Sequence, residues 1–277
     1  MKVIKDTFLI RADRDLNRTT KVKGHDGNYL VIDADVNEFE HATQIGTVGH
    51  VPEIIDIKYR YDTPIFENDV IIFHYHVTQS KHAIEINGEQ FFKCPYFQIW
   101  CKIENETIVP LEDFIFVEPI MESEEEMFSG NIQTKLYQEE IKSTGIVYSV
   151  SSMATQLGIK EGDKVFVTSS ADLEIEILGK KLWRMRIRNV VGIEREGDLI
   201  CLNNKALVKE IFEESQPQFL TKGDDKKERA GEVVLSNIKD LSVGDKISYH
   251  NGVNTSLTYK GELYSYISSV NINYIKE

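Results

Sequence analysis

The chain has 277 residues, of which 41% are hydrophobic and 28% are charged, a composition typical of water-soluble globular proteins. Its formal net charge of −13 argues against nucleic acid and against an anionic membrane surface as main partners, because both recruit clustered Lys and Arg. The sequence contains no recognisable signal peptide and no long apolar run. Its three cysteines follow no disulfide or metal pattern, so we expect buried, reduced thiols in a cytoplasmic protein.

The predicted elements recur three times along the chain. Each set opens with an apolar strand, at residues 8–10, 114–117 and 199–202, and continues into a long polar connection. A Gly-x-Val turn follows, and then a Gly-Asp or Asn-Asp turn that leads into an alternating apolar strand. Each set ends with a glycine-tipped hairpin and a closing apolar strand.

The landmark residues of these sets keep similar spacings, and they fall into four groups. They are Gly46, Gly145 and Gly231; Asn68, Gly162 and Gly244; Gly88, Gly179 and Gly261; and Ile99, Val190 and Ile272. Such agreement predicts an internal repeat of three domains, residues 1–104, 105–195 and 196–277. Strand-like alternation with glycine turns predicts an all-β fold, with one small β-barrel in each domain.

One family has the same order of motifs. Pro110-Leu111-x-Asp113, a long loop, Gly145-x-Val147, Gly162-Asp163-x-Val165 and a closing strand at Val190 resemble the GroES-type co-chaperonins. The third domain is similar in residues 231–233 and 243–247, and the first is similar more loosely. The resemblance covers nearly the whole chain and implies three tandem GroES-like small β-barrels.

The resemblance also implies a function. Members of that family are non-catalytic lids that form a ring and dock on a chaperonin ring through an apolar tripeptide in a mobile loop. The best counterpart of the tripeptide follows Gly27-Asn28, and its predicted partner-binding residues are Tyr29, Leu30, Val31 and Ile32. We therefore expect a chaperonin ring as partner, a homo-oligomer, and a flexible loop around these four residues.

Two alternatives remain open at this stage. Residues 29–32 could instead be an edge strand packed on their own barrel; the counterparts in the other loops, Met127-Phe128 or Ile132 and Phe219-Leu220, are poorer. The ring of the family has seven positions, and chains of three fused barrels cannot fill seven positions evenly. A tandem repeat of barrels without catalytic residues would also suit a structural component of a larger assembly such as a virion. The chain would then be located in a host cytoplasm or in a virion.

Enzyme chemistry finds little support in the residues. His74 and His76 lie two apart, which predicts one face of a strand, and His50 or His82 could join them as metal ligands. A closed zinc site needs four ligands at tight spacing, which this set lacks. No dinucleotide-binding glycine motif, phosphate loop or nucleophile motif occurs. We predict no catalytic residue, no cofactor and no metal.

Overall fold

The computed structural model describes residues 5–12, 20–23, 29–32, 44–56, 58–59, 62–120, 144–168, 173–211, 228–250 and 255–276. Almost all regular structure in these residues is β-strand, arranged in three antiparallel sheets and one separate hairpin. The predicted all-β class is confirmed. None of the helices in the described ranges has the length and hydropathy needed to cross a membrane.

Among the residues that the structure describes, the first sheet has seven strands, in the order β6-β7-β1-β4-β5-β8-β9. Its strands are β1 (Thr7–Arg11), β4 (Ile45–His50), β5 (Val70–Phe73), β6 (Ala83–Ile86), β7 (Glu89–Pro95), β8 (Ile99–Glu104) and β9 (Thr107–Pro110). Strands β2 (Thr20–Lys23) and β3 (Tyr29–Ile32) pair with each other as a two-stranded hairpin between β1 and β4. Three neighbouring pairs in this sheet, β7-β1, β1-β4 and β5-β8, join strands that are not consecutive in the chain.

The second sheet repeats this order as β13-β14-β10-β11-β12-β15-β16. Its strands are β10 (Phe114–Pro119), β11 (Thr144–Val150), β12 (Lys164–Val167), β13 (Leu173–Ile177), β14 (Lys180–Arg186), β15 (Val190–Arg195) and β16 (Asp198–Cys201). A short helix, α1 (Ser152–Gln156), follows β11, and the Ser151 hydroxyl caps it by accepting a hydrogen bond from the Ala154 N–H at 3.3 Å.

The third sheet has six strands among the described residues, in the order β20-β21-β17-β18-β19-β22. They are β17 (Lys205–Glu210), β18 (Glu228–Ser236), β19 (Lys246–His250), β20 (Thr255–Tyr259), β21 (Glu262–Ser268) and β22 (Ile272–Lys276). The chain divides into two compact units, Met1–Phe114 with the first sheet and Ile115–Glu277 with the other two.

Each sheet buries its own apolar cluster. Phe8, Val48 and Phe73 belong to the first, Ile115, Val165 and Trp183 to the second, and Val208, Val233 and Ile247 to the third. Val165, Val167, Ile175 and Ile177, which the alternation of residues predicts to be buried, are between 0% and 7% exposed. Within the second unit, a further cluster joins Phe166 and Val191 of the second sheet to Leu207, Leu257 and Tyr266 of the third.

The predicted Gly-Asp and Asn-Asp turns have one geometry in all three sheets. In the second sheet, the Gly162 N–H donates to the Val147 carbonyl at 2.9 Å, and the Val147 N–H donates to the Asp163 carbonyl at 2.9 Å. The same reciprocal pair joins Val48 to 68–69 and Val233 to 244–245. The turn residue itself has positive φ each time, 71° at Asn68, 84° at Gly162 and 92° at Gly244, a region that glycine and asparagine tolerate best.

The Gly-x-Val segments are not turns, and that part of the sequence prediction is wrong. They lie inside strands β4, β11 and β18. An added Cβ would lie 2.5 Å from the Arg11 carbonyl oxygen at Gly46, 2.7 Å from the Glu118 oxygen at Gly145 and 3.0 Å from the Lys209 oxygen at Gly231. The glycines are therefore present because the neighbouring strand approaches too closely for a side chain.

The opening strand of the third set was also predicted one strand too early. Residues 199–201 lie in β16, which pairs with β15 and is the last strand of the second sheet. The strand that corresponds to β1 and β10 is β17, because it pairs with β18 and β21 as β1 pairs with β4 and β7. Two apolar segments follow each other there, and their composition does not reveal which sheet each one joins.

The glycine-tipped hairpins and closing strands are confirmed. Both tip residues have positive φ, 53° and 81° at Asn87-Gly88 and 50° and 78° at Lys260-Gly261, as a type I′ turn requires. Closing strands β8, β15 and β22 begin at Ile99, Val190 and Ile272, each after a short 3₁₀ turn. Cys94, Cys101 and Cys201 are free and buried, as predicted, and burial raises the pKa of the Cys201 thiol to about 11.

Candidate partner-binding hairpin

The long connections occupy the same place in all three sheets. Residues 12–44, 120–143 and 211–227 each join the first strand of a sheet to the strand paired directly beside it. Because such a connection leaves and re-enters the sheet at adjacent strands, its length does not disturb the fold. This end of each sheet is therefore where the fold can carry a long binding loop.

The ends of the connections are fixed by backbone hydrogen bonds. Pro119 lies opposite Gly145 in the second sheet, and Glu210 lies opposite Gly231 in the third. In the third sheet the Ile211 N–H donates to the Ala230 carbonyl at 3.0 Å, which extends the ladder by one step. The connections thus start from rigid, paired backbone.

The first connection contains the candidate residues. Tyr29, Leu30, Val31 and Ile32 form β3, which pairs with β2 in antiparallel register. The register sets Tyr29 opposite Lys23, Leu30 opposite Val22, Val31 opposite Lys21 and Ile32 opposite Thr20. The backbone of the four residues is thus a hairpin strand, and their side chains lie outside the described part of the chain.

The hairpin has its own hydrogen-bonding pattern. In the described residues, β3 pairs with β2 in a two-stranded sheet, while the first sheet runs from β6 to β9 without either strand. An isolated two-stranded hairpin is only marginally stable in water. A short apolar strand in such a hairpin can dock on a partner by burying its side chains and by offering its outer backbone edge.

One ion pair and one ring contact anchor the start of the first connection, and a second ion pair anchors the connection of the third sheet. The Arg11 guanidinium contacts the Glu89 carboxylate on β7 and lies 5.0 Å from the centre of the Phe91 ring. The hydrogen bond to Glu89 raises the pKa of Arg11 above its usual value. In the third sheet Arg229 donates to Glu210 at 2.6 Å, bridging the two strands that flank the connection. The sequence did not predict either ion pair, because the partners are far apart in the chain and no motif links them.

The candidates in the other two connections, Met127-Phe128, Ile132 and Phe219-Leu220, lie outside the described residues. The same holds for Gly27-Asn28, which precedes the apolar segment of β3.

The prediction that His74 and His76 lie on one face of a strand is wrong. His74 precedes the 3₁₀ helix Tyr75–Thr78 and caps it by accepting from the His76 N–H at 3.2 Å. The His74 and His76 rings stack with centroids 4.6 Å apart. His50 is elsewhere, with its ring nitrogen 3.3 Å from Glu67. No group of three or more His, Cys, Asp or Glu suited to hold a metal occurs among the described residues.

The comparison with family models concerns the middle of the chain. Residues 107–194 match the chaperonin 10 kDa subunit family. The match begins at the first residue of β9 and ends in β15, so it covers the second sheet without its last strand. It spans less than half of the chain. A search of curated proteins found no match.

Proposed function

We infer that the chain is a co-chaperonin-like protein with three tandem GroES-like domains, residues 1–104, 105–195 and 196–277. It assists protein folding by docking on a chaperonin ring, and it performs no enzymatic reaction itself. The observation that carries this proposal is the match of residues 107–194 to the chaperonin 10 kDa subunit family. That match supports a co-chaperonin-like role for the second domain.

Recurring geometry extends the proposal from the second domain to the other two. The reciprocal hydrogen bonds between the Gly-x-Val valine and the following turn occur in all three sheets. So do the close-packed glycines Gly46, Gly145 and Gly231, and so does the place of the long connection. Side-by-side agreement at backbone positions favours three copies of one domain over one domain with unrelated neighbours.

In this proposal, Tyr29, Leu30, Val31 and Ile32 are the residues that dock in an apolar groove of the chaperonin. Their strand lies in a hairpin outside the first sheet's hydrogen-bonding pattern, which suits a segment that binds a partner. Each side chain contributes about 1.5–3 kcal/mol when it is buried, less the cost of ordering the loop. Several weak anchors on one assembly would add through avidity.

The test uses the full chain and an immobilised, purified GroEL-type chaperonin ring. Changing Leu30→Ser together with Val31→Ser removes two apolar anchors, so we expect chaperonin binding to weaken by about 100-fold or more. Thermal stability stays nearly unchanged, because the hairpin stands apart from the first sheet's ladder. The matched control is Lys21→Ser with Lys23→Ser in the paired strand β2, which keeps the apolar segment and retains binding.

Two other outcomes contradict parts of this proposal. A lower melting temperature of the Leu30/Val31 variant with unaltered chaperonin binding would mean that the segment packs on its own domain. If the unaltered chain does not bind the ring and is instead recovered in a larger particle, the structural-component alternative replaces the co-chaperonin role.

A further inference from the structure

A segment of the first domain has no counterpart of its length in the other two domains. Residues 74–82 join β5 to β6 and form two short 3₁₀ turns, Tyr75–Thr78 and Ser80–His82. The corresponding connections, 168–172 between β12 and β13 and 251–254 between β19 and β20, are shorter and contain no histidine. Residues 74–82 carry three of the seven histidines of the chain, His74, His76 and His82.

This segment covers part of the first core. Val77 is 0% exposed and packs in the same cluster as Phe73, and both 3₁₀ turns lie against β7. The His74 N–H donates to the Gln98 carbonyl at 2.9 Å. Beside it, the Phe73 N–H donates to the carbonyl of Gln44, the last residue of the first connection, at 2.9 Å. The segment therefore closes the core at the base of the connection that carries the β2–β3 hairpin.

Two of the three imidazole rings act as hydrogen-bond acceptors. His74 Nδ1 accepts from the His76 N–H at 3.2 Å. His76 Nδ1 lies 2.9 Å from Gln79 Nε2, an amide nitrogen that can only donate. A ring nitrogen that accepts a hydrogen bond carries no proton, so the closed segment requires both Nδ1 atoms to be unprotonated. The two rings also stack with centroids 4.6 Å apart, so two protonated rings would repel each other at contact distance.

The third ring, that of His82, lies in surroundings that disfavour its charged form. Burial lowers the pKa of His82 below its ordinary value, and Lys81, His76 and Lys93 of β7 lower that pKa further. Glu85, three residues later in β6, is exposed to solvent, where its charge is screened. A proton on His82 therefore costs more in the closed segment than in water.

Other titratable groups on the neighbouring strands are engaged with other partners or are neutral. On β7, Glu89 contacts Arg11, and burial raises the pKa of the Cys94 thiol, which keeps it uncharged. On β8, Lys102 Nζ lies 3.4 Å from the Glu104 carboxylate. Tyrosines of the segment and its neighbours carry no charge in the range where histidine titrates. The histidines are therefore the groups whose charge changes there.

We propose that residues 74–82 form an acid-sensitive clasp, which is closed over the first core while its histidines are neutral and opens when they take up protons. Histidines released into water titrate at about pH 6.5. Because the open clasp binds more protons than the closed one, the equilibrium shifts toward opening as the pH falls below that value. Opening exposes Val77 and frees the end of β5, where Phe73 holds Gln44.

Hydrogen exchange of the full chain at pH 7.5 and 5.5 tests the clasp, with each rate divided by that of an unstructured peptide at the same pH. The reporters are the N–H groups of Val77, Gln79 and His82, which donate to carbonyls within the segment. We expect their protection to fall by at least about ten-fold at the lower pH, because each histidine that takes up a proton on opening contributes about that factor. Protection in β8 stays unchanged. Unchanged protection of residues 74–82, or an equal loss in β8, would overturn the proposal.

A variant without the three titrating rings assigns the effect to the histidines. His74→Asn, His76→Gln and His82→Gln keep a side-chain oxygen as acceptor at each position, and we expect the same protection at both pH values. The matched control is His250→Gln, an exposed histidine of β19, which keeps the loss at pH 5.5.

A measurement on the unaltered chain does not depend on how the variant folds. Nuclear magnetic resonance titration of the His82 ring should give a midpoint below about pH 6.5. A midpoint at or above that value, or a loss of protection that persists in the triple variant, would refute the clasp. This inference does not depend on chaperonin binding, so the two proposals can fail separately.

Discussion

Arg195 forms a bidentate ion pair with Asp163 from the neighbouring strand of the second sheet. Its Nε donates to Oδ1 at 2.9 Å and its Nη2 donates to Oδ2 at 2.6 Å, while Nη2 also reaches the Gly158 carbonyl at 2.7 Å. The same carboxylate accepts from the Lys160 N–H at 2.7 Å. The side-chain hydrogen bond to Asp163 raises the pKa of Arg195 above its usual value. This bidentate ion pair fixes the Gly-Asp turn to the closing strand β15.

The aspartates of the Gly-Asp turns in the second and third sheets differ in their hydrogen-bond partners and in their burial. Asp245 of the third sheet accepts from the Ser242 N–H at 2.7 Å but is only half-buried, whereas Asp163 is 6% exposed. We therefore expect Asp163→Ala to lower the free energy of unfolding by about 2–3 kcal/mol, and Asp245→Ala by about 1 kcal/mol. Urea denaturation of both variants measures this, and an equal loss in the two would mean that the arginine contributes nothing.

A carboxylate in the second core tests the burial pattern. Val167 is 2% exposed and belongs to the cluster that contains Trp183. Val167→Asp leaves an unpaired charge in that cluster, so we expect the second sheet to unfold at 25 °C, with a cost above about 4 kcal/mol. The matched control is Ile200→Asp in β16, a side chain that is 41% exposed and should cost below about 1 kcal/mol. Tryptophan emission reports the loss, and an unshifted spectrum of Val167→Asp would contradict the packing.

The strand glycines test the close approach of neighbouring strands. A Cβ at Gly145 would lie 2.4 Å from Val117 Cγ1 and 2.7 Å from the Glu118 oxygen. We expect Gly145→Ala to destabilise the second unit by about 1–3 kcal/mol, because backbone must move to make room. Gly179→Asn is the control: it sits in open space at φ 73°, where asparagine is tolerated. Thermal unfolding distinguishes them, and a neutral Gly145→Ala would contradict the spacing.

Lys205 makes the free energy of unfolding of the second unit depend on pH. The ammonium donates to the carbonyls of Arg188 and Val190 at 3.0 and 3.1 Å, and burial lowers its pKa to about 8. The unfolded chain holds this proton up to about pH 10.4, so between pH 8 and 10 the unfolded state binds more protons and stability rises with pH. The contribution amounts to at most about 3 kcal/mol.

Urea denaturation at pH 7, 8, 9 and 10 measures this slope. We expect Lys205→Met to flatten it, because methionine binds no proton in either state. The control is Lys246→Met, an exposed lysine of the same sheet, which keeps the slope of the unaltered chain. A slope that survives in Lys205→Met would assign the pH dependence to other groups.

Residue type and local sequence pattern were enough to predict many features of the fold. Positive φ at Asn87-Gly88, Gly162 and Gly244 follows from residue type alone, since few residues accept that conformation. Strict alternation in residues 173–177 predicted which positions are buried, because successive strand residues face opposite sides. Repetition of these signals predicted three sets of strands without any knowledge of contacts.

Other features depended on the tertiary structure. Gly46, Gly145 and Gly231 resemble turn glycines in sequence, but the close approach of the neighbouring strand explains them. The candidate segment Tyr29–Ile32 could be recognised as apolar, but its pairing with β2 instead of the first sheet could not. Residues 107–110 and 198–201 belong to one repeat by sequence and to another sheet by hydrogen bonding. An apolar strand specifies that it must be paired and covered, and only the geometry of the assembled sheets decides by which neighbour, because any backbone edge offers the same donors and acceptors.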